Sequence, residues 1–189
     1  DGINKDQIDA EAEIKDEFKI NKKITISFKN MESGDLGQTS QSGDSIRFNK
    51  LALRDREITD NYLNEDRILA ATDVKGISYH EMGHVLSKVH GEVGLEVAQQ
   101  AYYNLYNKRI SSVEMLDYLK SEVSSYSVTR RVNSKRITSK AFKEITPEML
   151  SKDRTNPNDF SNEFIRVLKE RYKLWGDCYE KIGFILDGL

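Results

Sequence analysis

The chain has 189 residues, of which 38% are hydrophobic and 32% are charged. This length allows one domain with a hydrophobic core, and the share of apolar residues argues against global disorder. The 29 basic and 31 acidic side chains nearly balance, so the overall charge gives no sign of nucleic-acid binding. The single cysteine, Cys178, excludes an internal disulfide and a Cys-rich zinc module.

Two features of the sequence bear on where the protein resides. No apolar run approaches the roughly 18 residues that a membrane span needs, so no transmembrane helix is expected. Residues 1–5 (DGINK) do not have the features of a signal peptide. Because the chain begins with Asp rather than Met, we expect a processed protein or a piece of a longer protein, and its compartment stays open.

The first part of the chain is predicted to combine a helix with a small sheet. Apolar residues recur at helical spacing over residues 3–18, which predicts an amphipathic helix. Residues 23–29 alternate between polar and apolar, as half-buried strands do. Residues 32–44 are predicted to form a polar loop rich in Gly and Ser, and residues 45–49 a second short strand.

From about residue 66 the chain is predicted to be mainly helical. Helices are expected over residues 77–89 and 93–106, because apolar residues recur there at helical spacing. Ser111 and Glu114 have the spacing of a capping box, which predicts that a further helix begins there.

The last part of the chain is predicted to contain an insertion followed by two helices. Residues 129–153 are basic, polar and weakly periodic, which predicts an exposed insertion. Asn156 and Pro157 predict the start of a helix that runs to about residue 175. A final helix is expected over residues 178–186. Together with the strands, these elements predict an α+β fold.

The strongest chemical motif is HEMGH, which contains His80, Glu81 and His84. On a helix, residues four apart share a face, so the two imidazoles can hold one metal ion. Neutral imidazoles suit zinc, and Glu81 is placed to take a proton from water at the metal. The motif therefore predicts one Zn²⁺ ion and zinc-assisted attack of water on a carbonyl group.

The third zinc ligand is left open among several positions. His90 has the spacing of a third histidine ligand, but Ser87 stands where a glycine turn would be needed, so His90 should point away. Asp159 and Glu163 share a helix face, so one could bind the metal while the other orients an imidazole. Glu122 is a further candidate.

Three segments of the sequence carry a resemblance to a known family. They are HEMGHVLSKVHG at 80–91, VSSYSVTR at 123–130 and RTNPNDFSNEFIRVL at 154–168. In these segments the chain resembles the zincin metallopeptidases of the anthrax lethal factor kind, which are gluzincin-like enzymes encoded by bacteria and phages. The resemblance implies a zincin-like metallopeptidase fold, with a small mixed sheet, an active-site helix and a mainly helical C-terminal part.

The resemblance also implies roles for individual residues. His80 and His84 correspond to zinc ligands and Glu81 to the general base. Asp159 takes the place of the family's glutamate ligand, and Glu163 that of the glutamate which orients a ligand. Tyr126 corresponds to the tyrosine that donates a hydrogen bond to the oxyanion or protonates the leaving group.

Organisation and function follow from the same resemblance. We expect a single domain over residues 1–189, with the sheet and active-site helix in 1–91 and the third ligand in the helical part, 92–189. The expected activity is that of an endopeptidase on a protein or peptide bound as an extended strand along a sheet edge, for which residues 45–49 are the candidate. The alternative is a non-catalytic binding or structural module of a phage or toxin protein that has the zincin fold. It is suggested by Asp in place of Glu at position 159 and by the insertion.

Overall fold

The computed structural model describes residues 2–32, 35–66, 68–128 and 142–186, which contain seven α-helices, one 3₁₀ turn and three strands. The strands form a mixed sheet, so the α+β prediction is confirmed. None of the described helices has the length and apolar character needed to cross a membrane. The helices are α1 (Gly2–Glu17), α2 (Arg56–Asp66), α3 (Val74–His90), α4 (Gly94–Tyr106), α5 (Ser112–Glu122), α6 (Ile145–Thr155) and α7 (Asp159–Leu186).

The sheet contains β1 (Thr25–Lys29), β2 (Gly37–Thr39) and β3 (Ser45–Asn49) in the order β1-β3-β2. β3 pairs in parallel with β1 and antiparallel with β2, and its apolar side chains Ile46 and Phe48 are buried. The prediction that 45–49 is the edge strand is therefore wrong, because β3 lies in the centre. The edge strand beside α3 is β2, which lies within the predicted loop. Its three residues are too few to show a strand alternation.

α3 carries the HEMGH motif and is buried along most of its length. Its first turn is capped by Asp73, whose side chain accepts a 2.7 Å hydrogen bond from the amide of Gly76. The helix ends before Gly91, whose φ of 89° lies in the left-handed region. As expected from Ser87, no turn interrupts the helix before His90.

α6 crosses α3 closely, and this contact depends on a glycine. A Cβ at Gly83 would lie only 2.4 Å from the Cα of Pro147 on α6. Residues 145–151 are buried throughout, so the prediction of an exposed insertion over 129–153 is wrong for this part. Polar residues such as Glu148 and Ser151 are buried together with apolar ones. The sequence of this helix therefore lacks the apolar periodicity by which a buried helix face is usually recognised. Residues 129–141 lie outside the described part of the chain.

The helix ends also differ in detail from the predictions. The capping box of Ser111 and Glu114 is confirmed at the start of α5. At α7 the cap is Asn158 rather than Asn156, because the amide of Ser161 donates to Asn158 Oδ1 at 2.8 Å. Asn156 instead closes the end of α6, and Pro157 lies between the two helices. The backbone of α7 is continuous to Leu186, so the two predicted C-terminal helices are one.

Candidate metal centre

Two histidines on α3 and the glutamate that immediately precedes α6 form a cluster suited to a metal ion. His80 and His84 lie one helical turn apart, with ring centroids 5.0 Å from each other. Their Nε2 atoms lie 3.4 Å and 3.3 Å from Oε2 of Glu144. All three ligand atoms lie within 4.8 Å of one another, and no other group of three such residues is found in the described part of the chain.

The distances from Glu144 to the two imidazoles fit a tetrahedral ion. Two ligand atoms that are each about 2.0–2.1 Å from a tetrahedral zinc lie roughly 3.3–3.4 Å apart. Both separations from the Glu144 oxygen agree with that value. Oε2 of Glu144 is also buried without a hydrogen-bond partner, and a buried polar atom in that condition is costly unless something else satisfies it. The residues present therefore fit a zinc ion.

The charges around the cluster favour a cation. Burial disfavours the ionised carboxylate of Glu144, but the attraction of the neighbouring His80 and His84 imidazoles prevails and lowers its pKa to about 2. Burial likewise disfavours the charged form of His80, whereas Glu144 and Glu148 favour it and raise its pKa to about 10. Together with Glu81, three carboxylates surround two imidazoles, and a divalent ion would balance this negative charge.

Glu148 orients the His80 ring by its contact with Nδ1, on the side of the imidazole away from Glu144. It is fully buried on α6, and its Oε1 lies 2.6 Å from Nδ1 of His80. Its Oε2 accepts hydrogen bonds from the amide of Ala70 at 2.7 Å and from the hydroxyl of Ser124 at 2.5 Å. A carboxylate in this position holds the imidazole with Nε2 toward Glu144, an arrangement typical of metal-ligating histidines.

Glu81 lies beside the cluster and is held by the edge strand. It is buried, and its Oε2 accepts a 2.7 Å hydrogen bond from the hydroxyl of Thr39 on β2. A Cβ at Gly37 would lie 2.6 Å from its other carboxylate oxygen, Oε1. Glycine therefore lets the strand approach this side chain closely.

Tyr126 lies next to His80, with 5.8 Å between the ring centroids. It begins the 3₁₀ turn Tyr126–Val128, and its amide donates to the carbonyl of Ile68 at 3.1 Å. Burial and the nearby carboxylates raise the pKa of its phenol to about 12, so the hydroxyl stays a hydrogen-bond donor at neutral pH. The structure thus brings Tyr126 to the site that the resemblance implied for it.

The other expected ligands lie elsewhere. Asp159 is exposed at the start of α7, and Glu163 accepts hydrogen bonds from Asn104 and Arg166. The ring of His90 stacks at 4.3 Å on Tyr172, and Glu122 is exposed at the end of α5. Among the described residues the acid beside the two imidazoles is Glu144, which corrects the expectation for Asp159 and Glu163.

A partial signal for Glu144 exists in the sequence. Glu144 and Glu148 have the same four-residue spacing as Asp159 and Glu163, so both pairs can place two acids on one helix face. The second pair was favoured because NPNDFSNEF matches the family pattern. The first pair lies in a segment whose basic, polar composition indicated an exposed insertion.

Two cavities meet at the cluster. A cleft of about 300 Å³ follows β2 past both histidines and ends near Lys88 and Lys143. A second cavity of about 190 Å³ shares His80, Glu81 and Tyr126 with the cleft. Its remaining wall is mostly apolar and includes Leu36, Leu63, Ile68, Leu69, Ala71 and Ile77.

Comparison of the chain with protein-family models, with curated proteins and with solved structures finds no significant match. The description of the fold and of the candidate site therefore depends on the sequence and geometry of this chain alone.

Proposed function

We propose that the protein is a zinc-dependent endopeptidase with a zincin-like fold. The observation that carries this proposal is the cluster of His80, His84 and Glu144, with Glu81 on the same helix. A helix that offers two imidazoles and a neighbouring carboxylate, next to a sheet edge, is an arrangement suited to metal-assisted peptide hydrolysis.

Residues from two parts of the chain would bind the zinc ion and orient its ligands. His80 and His84 on α3 and Glu144, the residue that precedes α6, would hold one Zn²⁺ ion, while Glu148 on α6 keeps the His80 ring in place. When bound, zinc would polarise the substrate carbonyl and make water acidic enough to act as a nucleophile near neutral pH.

Glu81 and Tyr126 would move and stabilise charge during hydrolysis. Glu81 takes the proton of the attacking water and passes it to the nitrogen of the leaving amine. Its free oxygen for this task is Oε1, because Oε2 already accepts the hydrogen bond from Thr39. The hydroxyl of Tyr126 donates a hydrogen bond to the negative charge that develops on the carbonyl oxygen.

The substrate would be a polypeptide in extended form. β2 pairs with β3 on one side, and its residues line the cleft. An added peptide strand would gain main-chain hydrogen bonds from β2, and its alternate side chains would enter pockets. The apolar cavity beside Glu81 suits a hydrophobic side chain next to the cleaved bond.

Zinc analysis and peptide cleavage test the proposal together. After dialysis against zinc-free buffer, we expect one zinc per chain in the wild type, and we expect cleavage of a proteome-derived peptide library monitored by mass spectrometry. Glu81→Gln should keep the zinc and lose nearly all cleavage. Glu122→Gln, an exposed control on α5, should behave as wild type.

Three results would contradict the proposal. They are absence of bound zinc, absence of cleavage by the zinc-loaded wild type, and full activity of Glu81→Gln. Full zinc content with no cleavage would favour the alternative of a binding module that keeps the metal centre without its chemistry.

A further inference from the structure

We infer that Thr39 is a positioning residue for the general base, so that the edge strand sets the geometry of catalysis as well as binding substrate. This inference rests on the proposed peptidase function. It begins with the two contacts that the Thr39 hydroxyl makes to Glu81, one of 2.7 Å to Oε2 and one of 3.1 Å to the backbone carbonyl.

The single proton of the hydroxyl goes to the carboxylate. That contact is the shorter of the two, 2.7 Å against 3.1 Å to the backbone carbonyl. Because Glu81 is buried, a bond of this kind selects one orientation of its carboxylate. Thr39 thereby occupies Oε2 and leaves Oε1 as the basic oxygen.

The second carboxylate oxygen of Glu81, Oε1, faces Gly37, which has no side chain. Gly37 lies two residues before Thr39 on β2, so both residues present the same face of the strand. The space where a Cβ of Gly37 would stand is 2.6 Å from Oε1 of Glu81. The same strand face therefore gives a hydroxyl to one oxygen and leaves room for the other.

The backbone that carries the Thr39 hydroxyl is held in place by strand pairing and by the turn that follows. Thr39 pairs with Ile46 of the central strand, and the amide of the following Ser40 donates to the carbonyl of Ser45 at 2.9 Å. The side chain of Ser40 also accepts from the amides of Asp44 and Ser45, which closes the turn between β2 and β3. Because threonine is branched at Cβ, its hydroxyl has few alternative directions on such a backbone.

Replacement of the hydroxyl by a methyl group tests this role. In Thr39→Val the shape is kept but the donor is lost, so we expect kcat on a peptide cleaved by the wild type to fall by about 10- to 100-fold. KM should change less than about twofold, because valine keeps the shape of the cleft wall at this position, and the zinc content should stay at the wild-type level, because the metal ligands do not change. Thr39→Ser keeps the donor and should restore most of kcat. Thr25→Val, the same change on the opposite edge strand β1, is the matched control and should leave kcat unaltered.

The results separate the two proposals. If the wild type binds zinc but cleaves no peptide, the peptidase function fails, and the role of Thr39 in it fails as well. If the wild type cleaves and Thr39→Val equals it in kcat, or Thr39→Ser is as slow as Thr39→Val, only the role of Thr39 is overturned. Should Thr39→Val fold poorly, Gly37→Ala gives a second test. It keeps the hydroxyl but crowds Oε1, and an unchanged kcat would overturn the positioning of Glu81 by β2.

Discussion

The close crossing of α3 and α6 makes Gly83 a sensitive position for the proposed metal centre. On the unchanged backbone, the new methyl carbon of Gly83→Ala would lie 2.4 Å from the Cα of Pro147 and 2.8 Å from its nitrogen. Ordinary carbon contacts lie at about 3.5–4.0 Å, so the helices must separate by roughly 1 Å or more. Both are backbone atoms, so a change of side-chain rotamer cannot relieve the contact.

That displacement acts directly on the ligand set. Glu144 lies at the N-terminal cap of α6 and Glu148 lies one residue after Pro147, whereas both histidines are on α3. A metal site tolerates errors of only about 0.5 Å in its ligands, so we expect zinc affinity to fall by about 10- to 100-fold. Overpacking should also lower the free energy of unfolding of the metal-free protein by about 1–3 kcal/mol, although alanine is the better helix former.

Competition with a chromophoric zinc chelator measures the affinity, and urea unfolding measures the stability. Ala101→Val is the control, since it overpacks a fully buried position on α4 that lines neither cavity at the cluster. It should lower stability and leave zinc affinity unchanged. Wild-type zinc affinity in Gly83→Ala would refute the reasoning, because it would mean that α6 does not carry the third ligand.

Three other variants test separate parts of the structure. Glu144→Gln should lower zinc affinity by more than about 100-fold, whereas Glu163→Gln should not change it; the opposite pattern in the chelator assay would restore Glu163 as the ligand. Glu148→Gln keeps an acceptor for the surrounding donors but loses the charge behind His80, so zinc should bind about 10- to 100-fold more weakly by the same measurement, and equal affinity would exclude an orienting role. Burial lowers the pKa of His90 below its usual 6.5, so folding disfavours protonation of this imidazole. The stability that the neutral imidazole contributes is therefore complete above pH 6.5 and is lost as the pH falls below that value. His90→Phe should therefore lose less stability on acidification than the wild type in urea titrations of the metal-free protein, and parallel curves would contradict this.

The parts of the site that lie within a single helix could be predicted from sequence. The spacing of His80 and His84 is a local property of α3, and so is the adjacency of Glu81. The capping box at Ser111 depends on residues three apart, and it too is found where it was predicted. In each case the physical cause acts within about one helical turn.

The parts that depend on contacts between elements could not be predicted in this way. Glu144 reaches the histidines because Gly83 admits α6 at a close distance, and nothing in the composition of 142–155 indicates that crossing. β2 is a strand because Gln38 and Thr39 pair with the central strand, although the segment itself has the composition of a loop. The third ligand and the edge strand thus depend on long-range packing.

The most direct test of the metal centre is anomalous diffraction at the zinc edge from crystals of the zinc-loaded protein. We expect a single zinc about 2.0–2.2 Å from Nε2 of His80, from Nε2 of His84 and from a carboxylate oxygen of Glu144. A zinc ion held by Asp159, Glu163 or His90, or no anomalous peak between the two imidazoles, would contradict the proposed centre.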